Sequence, residues 1–452
     1  MSTVCNPNLP PVKSLQAEPD AACAVDQEGR VDAQLTLATL YQIPNKLPGR
    51  TLRIVLYSHD TMGLGHIRRN LLVARALSES HLDVDILLIT GAREVGGFSL
   101  PANVDCLVLP SLYKEKNGGY RARYLGLSLQ RLISLRSKIL FAAVADFSPD
   151  ILIADNIAPG ALGELIPTLD YLRSQIGTRC VLGLRDILDA PETVATEWHS
   201  KGIADLLRSH YEEIWVYGDR AVYDPVKEYS FPADIADKVR FLGYLDQRKR
   251  LTQARDSQHD GVSPPYILCT VGGGQDGAHL AETFVQARLP QGMRGVLLCG
   301  PHMDPAVRQR LHQFALSTSR HQVLDFVPEP ARLVQGAAAV VCMGGYNSVC
   351  EVMSFDKRAL VVPRVRPRQE QLLRAQHLSG LGILEMLSPD KLNADTLTDR
   401  LEHLLTRPEP SVHTRIDFKA IEKLPRALEL LLGLPCRSTQ HSPLLRGERP
   451  CA

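Results

Sequence analysis

Excess charge of either sign is almost absent from this chain: 51 Lys+Arg stand against 50 Asp+Glu over 452 residues, a formal net charge of +1. Dedicated nucleic-acid binders carry a large basic surplus, so the balance argues against that class. Long apolar runs are missing as well, and none approaches the ~18–20 residues that a membrane-spanning helix needs. The first 30 residues show no basic start followed by an apolar stretch and do not read as a secretory signal. Among the 10 cysteines there is no C-x-x-C and no Cys/His spacing of a zinc finger. Cys106, Cys180, Cys269, Cys299 and Cys342 sit in or beside short apolar runs, where a free thiol behaves as a small hydrophobe. No kinase-type P-loop occurs, and the first glycine-rich turn lacks the third glycine of a dinucleotide fingerprint. The expectation that survives is a soluble, cytoplasmic globular protein, long enough at about 150 residues per domain for two or three domains.

What is present is a regular alternation. Strand-length apolar runs begin at 51–58 and recur at 84–90, 104–109, 151–154, 180–184 and 214–217, with amphipathic stretches at 67–80, 124–146 and 191–210. A second series follows at 266–271, 295–299, 322–326, 338–342 and 359–362. Near-continuous apolar strands alternating with helices predict parallel sheets covered on both faces. The fold class expected is α/β, with two doubly wound Rossmann-like domains facing across a cleft. The expected organisation is a disordered arm over 1–50, a first domain over 51–245, a polar linker over 246–264, a second domain over 265–435 and a flexible tail over 436–452.

In open parallel sheets, ligands bind beyond the carboxyl ends of strands, where glycine lets the backbone approach them. Three strand-to-helix turns are rich in glycine: Ser58-His-Asp-Thr-Met-Gly-Leu-Gly-His66, Val271-Gly-Gly-Gly-Gln-Asp-Gly277 and Cys342-Met-Gly-Gly-Tyr-Asn347. Backbone N–H groups at such helix starts, aided by the helix dipole, bind phosphate. The third turn runs into Glu351, which spacing i, i+4 places on one helix face with Asn347. A carboxylate there can accept two hydrogen bonds from a vicinal diol such as a ribose. A basic loop follows with Arg364, Arg366 and Arg368, then Glu370 and Gln371, whose acceptors and donors suit sugar hydroxyls. Asp83-Val-Asp85 mimics a metal-binding D-x-D, but it lies where its strand begins, the wrong end for a ligand, and no metal is expected.

Residues 338–375 resemble the donor-binding region of GT-B glycosyltransferases, and are most similar to MurG-type enzymes (glycosyltransferase family 28) and their bacterial relatives. The resemblance implies that Gly344, Gly345 and Tyr346 contact a donor diphosphate, that Glu351 binds the nucleotide ribose, and that Glu370 and Gln371 contact donor sugar and ribose. It implies that the backbone near Val327 reads the nucleobase, that Gly273 and Gln275 belong to a second donor loop, and that Gly63 and Gly65 form the acceptor-side turn. That second loop departs from the family pattern at Gly274, where serine is usual, and at an extra Asp276. Asn347 and Arg368 join the donor set expected from the residues themselves.

His66 is the candidate base, because an imidazole with a pKa near ~6.5 can take up a proton at neutral pH. Asp155, at the end of a nearby strand, resembles the aspartate that orients such a base. Asp60 is the competing base, and His59 is expected to be structural. The activity implied is inverting, metal-independent hexosyl transfer from a nucleotide-diphosphate sugar, UDP-linked, with no cofactor beyond that co-substrate. The acceptor stays open: Ser111–Lys138, rich in Lys, Arg and Tyr, suits a phosphorylated or lipid-linked acceptor, peripheral contact with a membrane face, or a plain solvated surface. Two competing functions use the same frame: a UDP-sugar 2-epimerase, and a non-catalytic nucleotide-sugar-binding protein.

Overall fold

The computed structural model describes residues 51–59, 64–115, 119–175, 177–251, 262–263, 265–318, 320–327 and 329–434. The expected arm and tail, Asp60, Gly63 and most of the expected linker lie outside these residues.

The first sheet holds β1 (Leu52–Ser58), β2 (Val84–Thr90) and β3 (Val104–Val108); a separate antiparallel hairpin, β4 (Leu112–Lys114) and β5 (Tyr120–Ala122), comes next. The sheet continues with β6 (Ile151–Asp155), β7 (Arg179–Arg185), β8 (Glu213–Tyr217) and β9 (Val239–Phe241). The second sheet holds β10 (Tyr266–Thr270), β11 (Arg294–Leu298), β12 (His321–Leu324), β13 (Ala339–Cys342), β14 (Ala359–Val361) and β15 (Glu385–Met386). Every pairing within these two sheets is parallel. Runs such as Ile54–Tyr57 and Ile267–Cys269 are fully buried because helices cover both faces, so neither face selects polar residues.

The strand orders are β3-β2-β1-β6-β7-β8-β9 and β12-β11-β10-β13-β14-β15. In each sheet the order reverses beside the first strand: β1 lies between β2 and β6, and β10 between β11 and β13. In open parallel sheets such a reversal, outside the carboxyl ends of the strands, is where a ligand-binding crevice lies. The three glycine-rich turns follow β1, β10 and β13, and Asp155 ends β6, so all four features stand at a reversal point.

Several details differ from the sequence expectation. The stretch 191–210 forms two helices, Pro191–Ser200 and Ile203–His210, interrupted at Lys201-Gly202. Strands β4, β5, β9 and β15 are two or three residues long, too short for a periodic signal. Arg136, counted with the basic segment 111–138, is wholly buried and donates to Glu164 and to the Pro110 carbonyl, while Tyr57 donates to the same carboxylate at 2.6 Å. It belongs to the core beneath the segment. The surface part is laced with cation–ring contacts: Arg121 lies 4.4 Å from the Tyr113 ring centre and Arg93 4.3 Å from that of Tyr124.

Residues expected to begin a linker are packed. Gln247 and Arg250 are buried, and the Gln247 N–H donates to Ser354 Oγ at 2.9 Å. The final helix, Ala420–Leu432, turns its Leu424 and Leu428 onto the core that includes Ile67 and Leu77 of the helix Gly65–Ser78. His81 Nε2 reaches Glu429 Oε1 at 2.6 Å, and the Tyr244 N–H donates to the Asp417 carbonyl at 2.7 Å. The chain therefore crosses between the halves twice, and both sheets belong to one compact unit.

Candidate active site

The turn after β1 delivers the helix Gly65–Ser78, whose first turn carries His66 and Arg69. Positions three apart share a helix face. Here that face looks at the end of β6, where Asp155 is buried and receives both side chains. His66 Nδ1 stands 2.6 Å from Asp155 Oδ2, and Arg69 Nε donates to Oδ1 at 2.9 Å. The carboxylate accepts the Nδ1–H, which leaves the lone pair on Nε2, the nitrogen turned away from the aspartate. Arg69 Nη2 also lies 3.1 Å from His66 Nδ1. With the proton on Nδ1 both atoms are donors, so that approach follows from their shared carboxylate and is no bond between them.

Burial alone would raise the Asp155 pKa, but the Arg69 guanidinium and His66 outweigh it and hold this carboxyl well below the usual carboxylate range. Asp155 is therefore an ionised anchor. His59, at the end of β1, is buried with its ring centre 4.7 Å from that of His66, and its Nδ1 has no partner. Burial, then the nearness of His66, pushes its pKa well down, so it stays neutral.

The second half meets this group through the turn after β13. Asn347 Nδ2 donates to the Gly65 carbonyl at 2.9 Å. A Cβ on Gly65 would come within 2.7 Å of that nitrogen, so a larger residue at 65 would have to displace the Asn347 amide from this contact. Tyr346 is buried, donates its hydroxyl to the Tyr217 carbonyl at 2.7 Å, and lies under Arg69, 5.4 Å from its ring centre. Its side chain is thus committed to protein and lies beneath the turn. Gly345 caps this helix, and a Cβ there would meet nothing within 4 Å. Space thus stands directly over the helix start.

Glu370 opens the helix Glu370–Gly380. Its Oε1 accepts from Arg364 Nη2 at 2.7 Å, while its Oε2 is buried with no partner. A buried acceptor left unpaired costs free energy unless a ligand or water completes it. Gln371 Oε1 accepts from the Arg364 N–H at 3.1 Å, and Arg364 Nη1 donates to Asp276 Oδ2 at 2.9 Å. The extra Asp276 therefore ties the turn after β10 to the basic loop. Gly274, the other departure in that turn, has φ +87°, and a Cβ would lie 2.3 Å from the Cys299 carbonyl oxygen, so serine does not fit. The Gly273 carbonyl accepts from the His302 N–H at 2.8 Å, and Gln275 is half-buried beside it. Val327 is buried after β12.

Two expected donor contacts are already engaged with protein. Glu351 is buried and accepts from Arg250 Nη1 at 2.6 Å, and Arg250 also pairs with Glu329. Arg368 pairs with Asp189 at 3.0 Å and Glu197 at 2.6 Å, both on the first half. Sequence reasoning missed Arg69, Arg185, Asp186, Arg250 and Arg374. Arg69 was within reach, being three residues from His66 on a helix. Arg185 and Asp186 stand at the carboxyl end of β7, a position that itself marks a site. Arg374 stands one helical turn after Glu370 and Gln371, but nothing local names its partner: it is fully buried, joins Asp186 at 2.7 Å and donates to the Gly344 carbonyl at 3.0 Å. Among the described residues no cluster of three or more His, Cys, Asp or Glu could hold a metal ion, and no helix is long and apolar enough to cross a membrane.

Residues 267–429 match the glycosyltransferase family 28 C-terminal domain. MurG from Acinetobacter baumannii superposes with a TM-score of 0.52 at 14% identity, over 84% of this chain and 99% of that one. The chain is a GT-B protein with a family 28 domain in its second half. A putative UDP-N-acetylglucosamine 2-epimerase from Listeria monocytogenes shares the GT-B frame, with a TM-score of 0.57 at 13% identity over 85% of this chain and 98% of that one. At such identities both structures speak to the fold alone. In sequence, the chain is 27% identical over 207 residues to a UDP-N-acetylglucosamine–N-acetylmuramyl-(pentapeptide) pyrophosphoryl-undecaprenol N-acetylglucosamine transferase from Paramagnetospirillum magneticum, covering 44% of this chain and 55% of the relative. It thus spans about half the length of that curated relative. Within the family 28 domain lie the Gly344–Gly345 turn, Glu351 and Glu370; His66 and Asp155 come from the other half.

Proposed function

We propose that this protein is a glycosyltransferase that moves a hexosyl group, N-acetylglucosaminyl among the candidates, from a UDP-linked sugar to an acceptor hydroxyl with inversion. The observation that carries this reading is the His66–Asp155 pair held against the family 28 glycine turn by the bond from Asn347 to the Gly65 carbonyl. In this scheme the second half binds donor and the first binds acceptor. His66 Nε2 takes the acceptor proton, and Asp155 fixes the tautomer and stabilises the imidazolium that forms. The leaving diphosphate rests on the N–H groups over Gly345, where charge is stabilised by the helix start. The unpaired Glu370 Oε2 accepts from a donor-sugar hydroxyl. Glu351 takes the ribose, with Arg250 fixing its orientation. The MurG-type relative, as its name states, acts on a lipid-linked acceptor, and the basic, tyrosine-bearing hairpin β4–β5 is the place for an acceptor of that kind, lipid-linked or phosphorylated. That acceptor would place the enzyme at the inner face of a membrane.

Gly345→Ala tests the donor site. The new methyl meets no protein atom, so thermal stability should not move, while UDP affinity measured by calorimetry should fall at least tenfold. Equal affinity would remove the diphosphate from this turn.

The epimerase reading has the Listeria neighbour in its favour. Its chemistry needs several carboxylates free to exchange protons around the sugar, whereas Asp155 and Asp186 are each locked to an arginine. Incubating the protein with UDP-N-acetylglucosamine and no acceptor decides between them: sugar interconversion would establish the epimerase. A protein that binds UDP-sugar but turns over no donor, with or without acceptors, would be the non-catalytic binder.

A further inference from the structure

Around the crevice most arginines already hold a carboxylate. Arg69 holds Asp155, Arg374 holds Asp186, Arg364 holds Asp276 and Glu370, and Arg368 holds Asp189 and Glu197. Arg185 differs. It ends β7, two residues beyond Gly183, which pairs in register with Asp155. Among the described residues its side chain makes one hydrogen bond, from Nε to Asn156 Oδ1 at 3.2 Å, and no carboxylate lies within ion-pair distance. Asp155 on its own half and Glu370 on the other attract it from beyond contact range.

The anchor is itself unusual. Asn156, next after Asp155, has φ +65°, the left-handed region that few residues other than glycine enter and that asparagine tolerates best. Its N–H donates to the Gly183 carbonyl at 2.7 Å, so the turn is fixed to β7 at one end while its side chain fixes the Arg185 Nε. Strained backbone at a strand end is retained where the surrounding structure imposes it, most often at functional sites. Here it leaves both terminal Nη groups of a guanidinium uncommitted between the His66–Asp155 pair and Glu370. Burial, followed by the crowding of Arg69 and Arg374, pulls the Arg185 pKa down to about 10, the response of a cation that lacks an anion.

The geometry points to Arg185 as a further substrate-binding residue, its two Nη groups gripping a phosphoryl group in the crevice. This rests on the nucleotide-sugar reading above and adds to it a contact from the first half. A guanidinium fork matches phosphate oxygens in a two-pronged bond, and a fork already held at Nε loses little freedom in forming it. The phosphoryl group could belong to the donor diphosphate or to a phosphorylated acceptor, and both would present the same oxygens.

Calorimetry on the full chain with UDP, uridine and inorganic pyrophosphate separates these cases, using wild type, Arg185→Ala and Arg185→Lys. If the donor diphosphate is the partner, Arg185→Ala weakens UDP at least tenfold and leaves uridine unchanged, and Arg185→Lys recovers part of the loss. If the acceptor supplies the group, UDP affinity holds, but pyrophosphate binding to UDP-saturated protein falls at least tenfold. Unchanged affinity for both anions in both variants overturns the assignment. Should wild type bind no UDP, the nucleotide-sugar reading fails by itself. Arg185 is then judged on pyrophosphate alone: a tenfold loss in the variant keeps it, and equal or absent binding removes it. Arg185→Lys retains the charge but not the fork, so a folding defect confined to the alanine variant leaves the test intact.

Discussion

In both halves the first strand sits between the second and the fourth of its own sheet, and in both the turns after the first and fourth strands frame a crevice. The two crevices are equipped in opposite ways. The first half brings ionisable side chains: His66, Arg69, Asp155 and Arg185. The second brings bare backbone at Gly345, with Glu370 standing beside it. Carboxylates and guanidiniums are also partitioned across the seam, since Asp186, Asp189 and Glu197 of the first half meet Arg374 and Arg368 of the second. One strand order thus supports two kinds of site, and the turn residues decide which. That agrees with the general rule that function is grafted onto a fold by its loops.

The contrast can be broken most sharply at His66. If chemistry resides in the first half and binding in the second, His66→Ala should lower turnover of the UDP-sugar by about 10²–10⁴-fold, the usual share of a general base, with UDP affinity by calorimetry unchanged. A parallel loss of affinity would place His66 in the binding machinery. Next in size is Arg374→Ala, which strands Asp186 without its cation at a fully buried site. Removing one partner of a buried pair costs about 3–5 kcal/mol, to be read in urea denaturation. Tyr244, which also donates to Asp186 at 2.9 Å, would not replace the charge.

Glu351→Ala sharpens the second half's role. It should weaken UDP by about 1–3 kcal/mol, the cost of leaving polar partners unsatisfied; calorimetry checks it, and unchanged affinity removes the ribose assignment. The smallest effect concerns acid. Asp155 has its folded pKa depressed by Arg69 and His66, so its contribution to stability is complete above its unfolded value of about 3.9 and drains away as pH falls below that. The stability difference between wild type and Asp155→Asn should therefore be constant near neutrality and shrink below about pH 4. A constant gap down to pH 3 in urea titrations would contradict the anchoring role.

Much of the fold was legible in the sequence because buried parallel strands announce themselves as short apolar runs, and runs such as 84–90 and 151–154 are β2 and most of β6. The two-residue strand β15 had no such pattern to show. At the site, the glycine turns were legible because glycine marks close approach, and the structure places Gly65 against Asn347. The pairings across the halves were hidden. Arg374 and Asp186 are separated by 188 positions, and nothing local in either says that they meet. Arg250 was masked by its neighbours: in a run of basic residues it resembled solvated linker, whereas it is buried against Glu351. Asp60 and Gly63 lie outside the described residues, so the rival base has no geometry to set beside that of His66.

The final helix, Ala420–Leu432, returns to lie on the helix that starts with Gly65. Two covalent spans thereby join the halves, one before β10 and one after residue 415, in addition to the ion pairs that cross the seam. Any widening of the crevice must therefore either carry the Ala420–Leu432 helix along with the first half or give up the contacts of Leu424 and Leu428. Cutting the chain ahead of Ala420 would sever the second span and leave that helix held to the first half by non-covalent contacts alone, even with every site residue in place.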